Sequence, residues 1–356
     1  MKRFLYPILI TMFVIIFILL LPSILPQREV VKFSDDALKE KALSIGMLPT
    51  PKTYKELLKV VDTSSNPISR DKIALGRELF NDKRLSLDMS ISCATCHKLK
   101  EGGDDNLATA IGYKSRANPH HLNSPTVLNI AIAKSLFWDG SAEDLEHQAN
   151  GPITASFEMS ITPQEIERRL NQDISYVQKF KSIFNEQNIT YENLLKAISV
   201  YERTLFTRGD YDKFLDGNSS AMSIQAKRGM ALFITKGCKG CHSGMSLGGE
   251  SVQKFPLRSY LFDYIGITDN LKRKESPFPF ENIGGFLGRD GTLKFRVPIL
   301  RNITKTAPYF HNGAVDKLEE AVRLMSKYQL GYEFDKAQIA DVVEFLKTLD
   351  GELIEY

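Results

Sequence analysis

The sequence lacks the marks of several common protein classes. Its 46 basic and 43 acidic side chains leave a net charge of only +3, which gives no reason to expect nucleic acid as a partner. Sustained alternation of apolar and polar residues is scarce, so no extensive half-buried β-sheet is predicted. With 43% hydrophobic and 25% charged residues, the composition is typical of a globular protein and excludes a disordered or fibrous one.

Long hydrophobic runs are also scarce, and the one clear example is at the N-terminus. Lys2 and Arg3 precede a run from 4 to 21 that only three residues interrupt, about the length that crosses a bilayer as a helix. A cleaved signal peptide usually has a shorter apolar core and a small-residue cleavage site, which is not evident here. We therefore expect residues 1–26 to be an uncleaved membrane anchor with its basic end in the cytoplasm. Either interpretation exports the rest of the chain to the periplasm.

The exported part is predicted to be all-α. Thr162 to Glu165 has a capping-box pattern with Pro163 at the first helical position. Near the C-terminus, apolar residues between 339 and 349 recur with helical period, and Gly351 is placed to end that helix. The exported length suffices for two domains of ordinary size.

Only four cysteines are present, and all of them belong to two Cys-x-x-Cys-His motifs. The motifs are CATCH at 93–97 and CKGCH at 238–242. In a c-type haem site the two thiols bond to the haem vinyl groups and the adjacent His ligates the iron. The cofactor-binding residues are therefore expected to be Cys93, Cys96, His97, Cys238, Cys241 and His242.

Three other interpretations of the motifs fit less well. Zinc-binding Cys-x-x-Cys pairs are usually about 15–20 residues apart and need no His directly after each pair. A thioredoxin-like redox pair would follow a strand in a βαβ pattern, which is not apparent. Disulfides within the two loops would leave both histidines unexplained. Two covalent haems per chain are the prediction.

A weak internal repeat precedes the two motifs. GRELF at 76–80 comes before Cys93, and GMALF at 229–233 comes before Cys238. This pattern predicts one helix-then-haem unit used twice.

The order of motifs along the chain resembles the bacterial di-haem cytochrome c peroxidase family. The segments that carry the resemblance are ISCATCH at 91–97, GG at 102–103, NSPTVLN at 123–129, FWDG at 137–140, QANGP at 148–152, EM at 158–159, GCKGCH at 237–242 and TAPYFHNG at 306–313. The resemblance implies two cytochrome c-like domains, a peroxidatic one over 30–206 and an electron-entry one over 207–356. It also implies reduction of hydrogen peroxide to water.

The resemblance assigns roles to individual residues. His97 would ligate the peroxidatic haem, while His242 and Met325 would ligate the electron-entry haem. Trp138 matches a residue between the haems, on the electron path. Glu158 matches the carboxylate of the peroxide pocket, and Gln148 matches an amide that orients the substrate.

A calcium ion is a further implication of the resemblance. Asn123, Thr306 and Pro308 match residues that supply oxygens, mostly from the backbone, to a calcium ion between the domains, and hard oxygen ligands suit this cation. His311 is expected to be structural, and His147 to lie on the surface.

Two positions depart from the family pattern. Ser141 stands where the family commonly has Arg after WDG. Sixteen residues after His97, where the family typically has a His that blocks the peroxidatic iron, this chain has Tyr113. Tyr113 could ligate iron as phenolate or leave it open, and His120 or His121 could ligate it instead. The activation mechanism is therefore open.

Two other functions compete with peroxide reduction. A di-haem electron carrier would have two permanently six-coordinate haems, against which Glu158 and Gln148 argue. An enzyme that oxidises a protein substrate would resemble the methylamine dehydrogenase maturation relative, which has Tyr at the position of Met325. The electron donor could be a small cytochrome c, a cupredoxin or membrane quinol, and a homodimer is a family expectation.

Overall fold

The computed structural model describes residues 33–257 and 276–356. The predicted anchor at 1–26 lies outside these ranges. Within them, no helix is both long enough and apolar enough to cross a bilayer. The described chain is mainly helical, as predicted, but it also contains four strands of three residues each.

Twelve α-helices occur in the described ranges. They are α1 Asp35–Ser44, α2 Tyr54–Val61, α3 Arg70–Asn81, α4 Cys93–Cys96, α5 Leu145–Thr154, α6 Pro163–Leu170, α7 Ile174–Phe184, α8 Tyr191–Glu202, α9 Asp210–Leu215, α10 Ile224–Thr235, α11 Leu318–Met325 and α12 Lys336–Lys347. The strands are β1 Thr207–Gly209, β2 Val252–Lys254, β3 Lys294–Arg296 and β4 Gly351–Leu353. Strand β1 pairs with β4 and β2 with β3, both antiparallel.

Two helix boundaries test the sequence patterns directly. The Thr162 hydroxyl accepts a hydrogen bond from the backbone N–H of Glu165, so α6 begins where the capping box predicts. The prediction for Gly351 is wrong. Helix α12 already ends at Lys347, and Gly351 instead opens strand β4, opposite Gly209 in β1.

The weak sequence repeat corresponds to a structural repeat. A methyl group at Gly76 would overlap the carbonyl oxygen of Ala197, so α3 and α8 cross in close contact there. A methyl group at Gly229 would overlap the carbonyl oxygen of Asp341 in the same way, where α10 crosses α12. Both crossings therefore require glycine.

The phenylalanine that ends each repeat packs near the histidine of the following motif. The ring centroids of Phe80 and His97 are 6.5 Å apart, and those of Phe233 and His242 are 6.3 Å apart. Each repeat thus places an aromatic wall beside a haem-binding histidine.

The apolar core has separate clusters for the two repeats. One cluster is built around α3, α6, α7 and α8, and another around α10 and α12. The second also includes Leu38, Ala42 and Met47, so α1 packs against the C-terminal cluster although it comes first in the chain. The domain boundary between 206 and 207 stays a prediction.

Candidate haem centres

The C-terminal motif presents its histidine in the form that binds a metal. His242 is 8% exposed, and its Nδ1–H donates a hydrogen bond to the Leu247 carbonyl at 3.2 Å. Since that carbonyl can only accept, Nε2 keeps its lone pair for a metal. Burial lowers the pKa of His242 to about 4, so the ring is neutral at physiological pH.

The N-terminal motif repeats this arrangement. His97 Nδ1–H donates to the Gly103 carbonyl at 3.1 Å, which again leaves Nε2 as the metal-binding atom. Burial lowers the pKa of this histidine too. Cys93 and Cys96 form one short helical turn before it, and the His97 backbone N–H donates to the Cys93 carbonyl at 2.9 Å. Both thiols and the imidazole thus belong to one compact turn.

A cavity of about 220 Å³ adjoins the C-terminal motif. Cys238, Cys241 and His242 line it, and Met325 lines it as well. Met325 is the last residue of α11, and a π-helical turn over 326–330 follows it, a feature frequently found at functional sites. An apolar cavity with two thiols, an imidazole and a thioether on its wall fits a haem with His and Met axial ligands.

Trp138 lies on the wall of the same cavity. Its indole N–H donates a hydrogen bond to the Asn123 carbonyl at 2.8 Å, and its ring meets the edge of His311 at a centroid distance of 6.5 Å. The tryptophan is therefore fixed in orientation beside the C-terminal haem cavity.

Glu158 and Tyr113 lie together near the N-terminal motif. The Tyr113 backbone N–H donates to the Glu158 carbonyl at 2.7 Å. A methyl group at Gly112 would overlap the carbonyl oxygen of Phe157, so the two chain segments are in close contact. The charge of Glu158 contributes to the raised pKa of Cys96, after burial and the charge of Asp105, which places this carboxylate close to the motif.

The side chain of Glu158 is poised to exchange a proton. Burial raises the pKa of Glu158 above its ordinary value, and a weak hydrogen bond of 3.4 Å from the Asn118 amide opposes the shift. A carboxyl group with a raised pKa changes protonation state closer to neutral pH than an exposed one. Gln148 lies half-buried on α5, and its side chain makes no hydrogen bond to another described residue.

Comparison with known proteins decides the family. The family described as di-haem cytochrome c peroxidase matches residues 70–220. The cytochrome c551 peroxidase of Nitrosomonas europaea is 39% identical over 80% of this chain and 82% of its own length. The enzyme of the same name from Pseudomonas aeruginosa is 36% identical, over 89% and 87%. The chain belongs to the di-haem cytochrome c peroxidase family.

A solved structure supports the same relationship. A MauG-like protein associated with microbial copper homeostasis superposes with a TM-score of 0.69 at 25% identity, covering 86% of this chain and 94% of that one. The predicted family is therefore confirmed, and with it the mainly helical, di-haem peroxidase-like fold and the two haem-binding motifs.

The residues that the family resemblance assigns to calcium lie on the wall of one cavity. Asn123, Thr306 and Pro308 all line the cavity that Trp138 lines. Asp104, which no sequence pattern indicated, lines it too and is 1% exposed, and neither of its buried carboxylate oxygens makes a hydrogen bond to a described residue. Burial, aided by the charge of Asp105, raises the pKa of Asp104 to about 7. In the described ranges no group of three His, Cys, Asp or Glu side chains could hold a metal.

A positive charge is present at the turn where Ser141 departs from the family pattern. Arg289 Nε–H donates to the Asp139 carbonyl at 2.8 Å, and its Nη2 donates to the Gly140 carbonyl. Ser141 itself is exposed. The guanidinium thus comes from a segment about 150 residues away, a placement that no local pattern could reveal.

The remaining histidines occupy different surroundings. His120 is exposed with its ring 6.4 Å from that of Phe286, and His121 is half-buried. His147 is exposed. His311 is 3% exposed within a cluster of aromatic rings formed by Phe278, Phe280, Phe286 and Phe295.

Proposed function

We propose that this protein reduces hydrogen peroxide according to H2O2 + 2 e⁻ + 2 H⁺ → 2 H2O, with electrons entering at the His242/Met325 haem and peroxide reacting at the His97 haem. When bound, the haems supply the iron that holds peroxide and the electrons that reduce it. The observation that carries the proposal is the separation of two environments. His242, Met325 and Trp138 share one cavity, while Glu158 lies beside the other motif.

Glu158 is proposed to carry the proton that peroxide cleavage requires. The departing oxygen must receive a proton so that water leaves rather than hydroxide. A carboxylate beside the substrate can accept the proton from one oxygen and return it to the other. The raised pKa of Glu158 suits this exchange, because a carboxyl group whose pKa is closer to neutral pH both accepts and releases a proton more readily there than an exposed one.

Gln148 is proposed to orient peroxide, and Trp138 is proposed to lie on the electron path. The Gln148 amide has no competing hydrogen bond in the described structure and is available to orient peroxide. Trp138 is held by its bond to the Asn123 carbonyl beside the C-terminal cavity, and its ring is proposed to pass electrons toward the other motif.

Met325 separates this proposal from the protein-oxidising alternative. Its thioether lines the same cavity as a neutral His242, and His with Met is the ligand pair that raises the potential of electron-transfer haems. That pair suits acceptance of electrons from a donor. A simple electron carrier would have no use for a buried carboxyl group beside the second haem.

A calcium ion is proposed near Asn123, Thr306 and Pro308. The support comes from Asp104, because its buried carboxylate makes no hydrogen bond of good geometry to a described residue and so needs a cation or a proton. A calcium ion bound by carbonyl oxygens and by this carboxylate would satisfy both oxygens.

The location and partners are also proposals. Residues 1–26 would anchor the enzyme in the inner membrane with the haem domains in the periplasm. Two relatives are named for cytochrome c551, so a small c-type cytochrome is the proposed electron donor, ahead of a cupredoxin or quinol. A homodimer is proposed on family grounds.

The test is steady-state turnover with the protein matured in a cytochrome c-competent periplasm. Mass spectrometry first establishes two haem additions per chain. Oxidation of a reduced small cytochrome c is then followed with and without peroxide, in parallel with a cupredoxin and a quinol. Peroxide-dependent oxidation of one donor supports the proposal, and a two-haem protein that oxidises none of them contradicts it.

A further inference from the structure

Arg296 is a guanidinium buried inside the protein at the end of strand β3. It is 2% exposed and lines the cavity that contains His242 and Met325. Its backbone N–H donates to the Trp138 carbonyl at 2.8 Å, and its Nε–H donates to the Phe137 carbonyl at 3.1 Å. Its Nη1 is buried and makes no hydrogen bond to any described residue.

No residue in the described part of the chain supplies a counterion for this charge. Burial alone lowers the pKa of Arg296 to about 10, so the side chain is still protonated at neutral pH, and no carboxylate contributes to the shift. Asp104 is the only acidic residue on the described cavity wall, and it makes no hydrogen bond with Arg296. An isolated buried charge is strongly unfavourable unless it is paired. The missing anion is therefore expected to arrive with the occupant of the cavity.

We propose that Arg296 pairs with a propionate of the haem bound to Cys238 and Cys241. Haem carries two carboxylates on one edge, and a guanidinium binds carboxylate through short, charge-assisted hydrogen bonds. Nε is engaged with the Phe137 carbonyl, and neither terminal nitrogen of the guanidinium donates a hydrogen bond to a described residue, which leaves the terminal nitrogens for the propionate. The inference rests on the haem assigned to this cavity but not on peroxide turnover.

The pairing has two consequences. One side chain ties the haem edge to the backbone of Phe137 and Trp138, so it positions the haem relative to the proposed electron path. The cation also compensates the extra negative charge of the reduced haem. Loss of Arg296 should therefore lower the reduction potential of the Met325-ligated haem.

The experiment compares Arg296→Gln and Arg296→Lys with the parent, and uses Arg289→Gln as the matched control. Arg289 donates to carbonyls of the same 137–140 turn but does not line the cavity. Potentials of both haems come from spectroelectrochemical titration, and the propionate bending band comes from resonance Raman spectra. We expect R296Q to lower the potential of the Met-ligated haem and shift the band. We expect R289Q to keep both haem potentials and the propionate band near those of the parent. We also expect the potential of the His97 haem in R296Q to stay near that of the parent.

Each outcome decides the proposal. Unchanged potential and unchanged propionate band in a two-haem R296Q protein overturn it. Should R296Q fail to incorporate haem, R296K decides. Its retained charge should keep the potential of the Met325-ligated haem near that of the parent, while its altered donor geometry should shift the propionate bending band. An unshifted band in R296K overturns the pairing. Parent protein with the expected potentials but without peroxide turnover would contradict the proposed function and leave this inference standing.

Discussion

Replacement of Glu158 by Gln should remove most peroxide reduction and leave the fold intact. Glutamine keeps the shape of the side chain and the oxygen that accepts the 3.4 Å hydrogen bond from Asn118. The bond from the Tyr113 N–H goes to the backbone carbonyl of residue 158 and is untouched. What is lost is the ability to accept and return a proton.

The expected effects on rate and on stability differ widely in size. General acid–base groups typically contribute about 10²–10⁴-fold to a rate, equivalent to about 3–5 kcal/mol of activation free energy. The single hydrogen bond to Asn118 is long and survives, and the amide relieves the burial of a charge. We therefore expect the free energy of unfolding to change by less than about 1 kcal/mol.

The assay measures kcat for peroxide with a reduced cytochrome donor, alongside haem content and thermal unfolding. Glu186→Gln is the control, because Glu186 is an exposed glutamate outside the site. A variant E158Q with two haems, normal unfolding and near-normal kcat would refute the role of Glu158 in proton transfer. A loss of kcat in E186Q equal to that in E158Q would show that the effect is not specific.

Three further predictions concern residues around the two haems. Asn118→Ala removes the hydrogen bond that lowers the pKa of Glu158, so this pKa should rise further. Because the carboxylate must be ionised to accept a proton, the acid limb of the pH profile of kcat should then move to higher pH. An acid limb that does not move would count against the contact between Asn118 and Glu158. Met325→His should retain the C-terminal haem at a lower potential, measured by redox titration, and an unchanged potential would remove Met325 from the iron. Because Tyr113 stands where the family typically has the histidine that blocks the iron, the resting N-terminal haem should be high-spin and react directly with peroxide. A wholly low-spin resting spectrum, with no reaction before half-reduction, would contradict this; separate replacement of His120 and His121 would then show whether either ligates the iron.

Features set by short sequence patterns were predictable. The spacing of each motif places two thiols and a histidine on one turn, and the Gly and Phe of the repeat recur because each helix crossing and each haem wall needs them. The cap at Thr162 is equally local. The position of Met325 could be assigned only through the family resemblance, since nothing in the local sequence distinguishes it from a core methionine.

Features that depend on distant chain segments could not be read in this way. Asp104, Arg289 and Arg296 look like ordinary surface charges in the sequence, and only the fold shows that they are enclosed or aimed at a distant backbone. The short strands β1 and β4 pair across 140 residues or more, so the local pattern around Gly351 predicts a helix end and cannot reveal the strand. Helix α1 likewise packs on the C-terminal cluster for reasons that lie outside its own sequence.

Titration of the fully reduced protein with hydrogen peroxide, without donor and without oxygen, tests the division of labour between the two haems most directly. Peroxide takes two electrons, and each haem iron holds one that it can give up. One molecule of peroxide per chain should therefore oxidise both haems, the Met325-ligated haem included. Oxidation of the His97 haem alone, with the other haem left reduced after excess peroxide, would contradict an electron path between them.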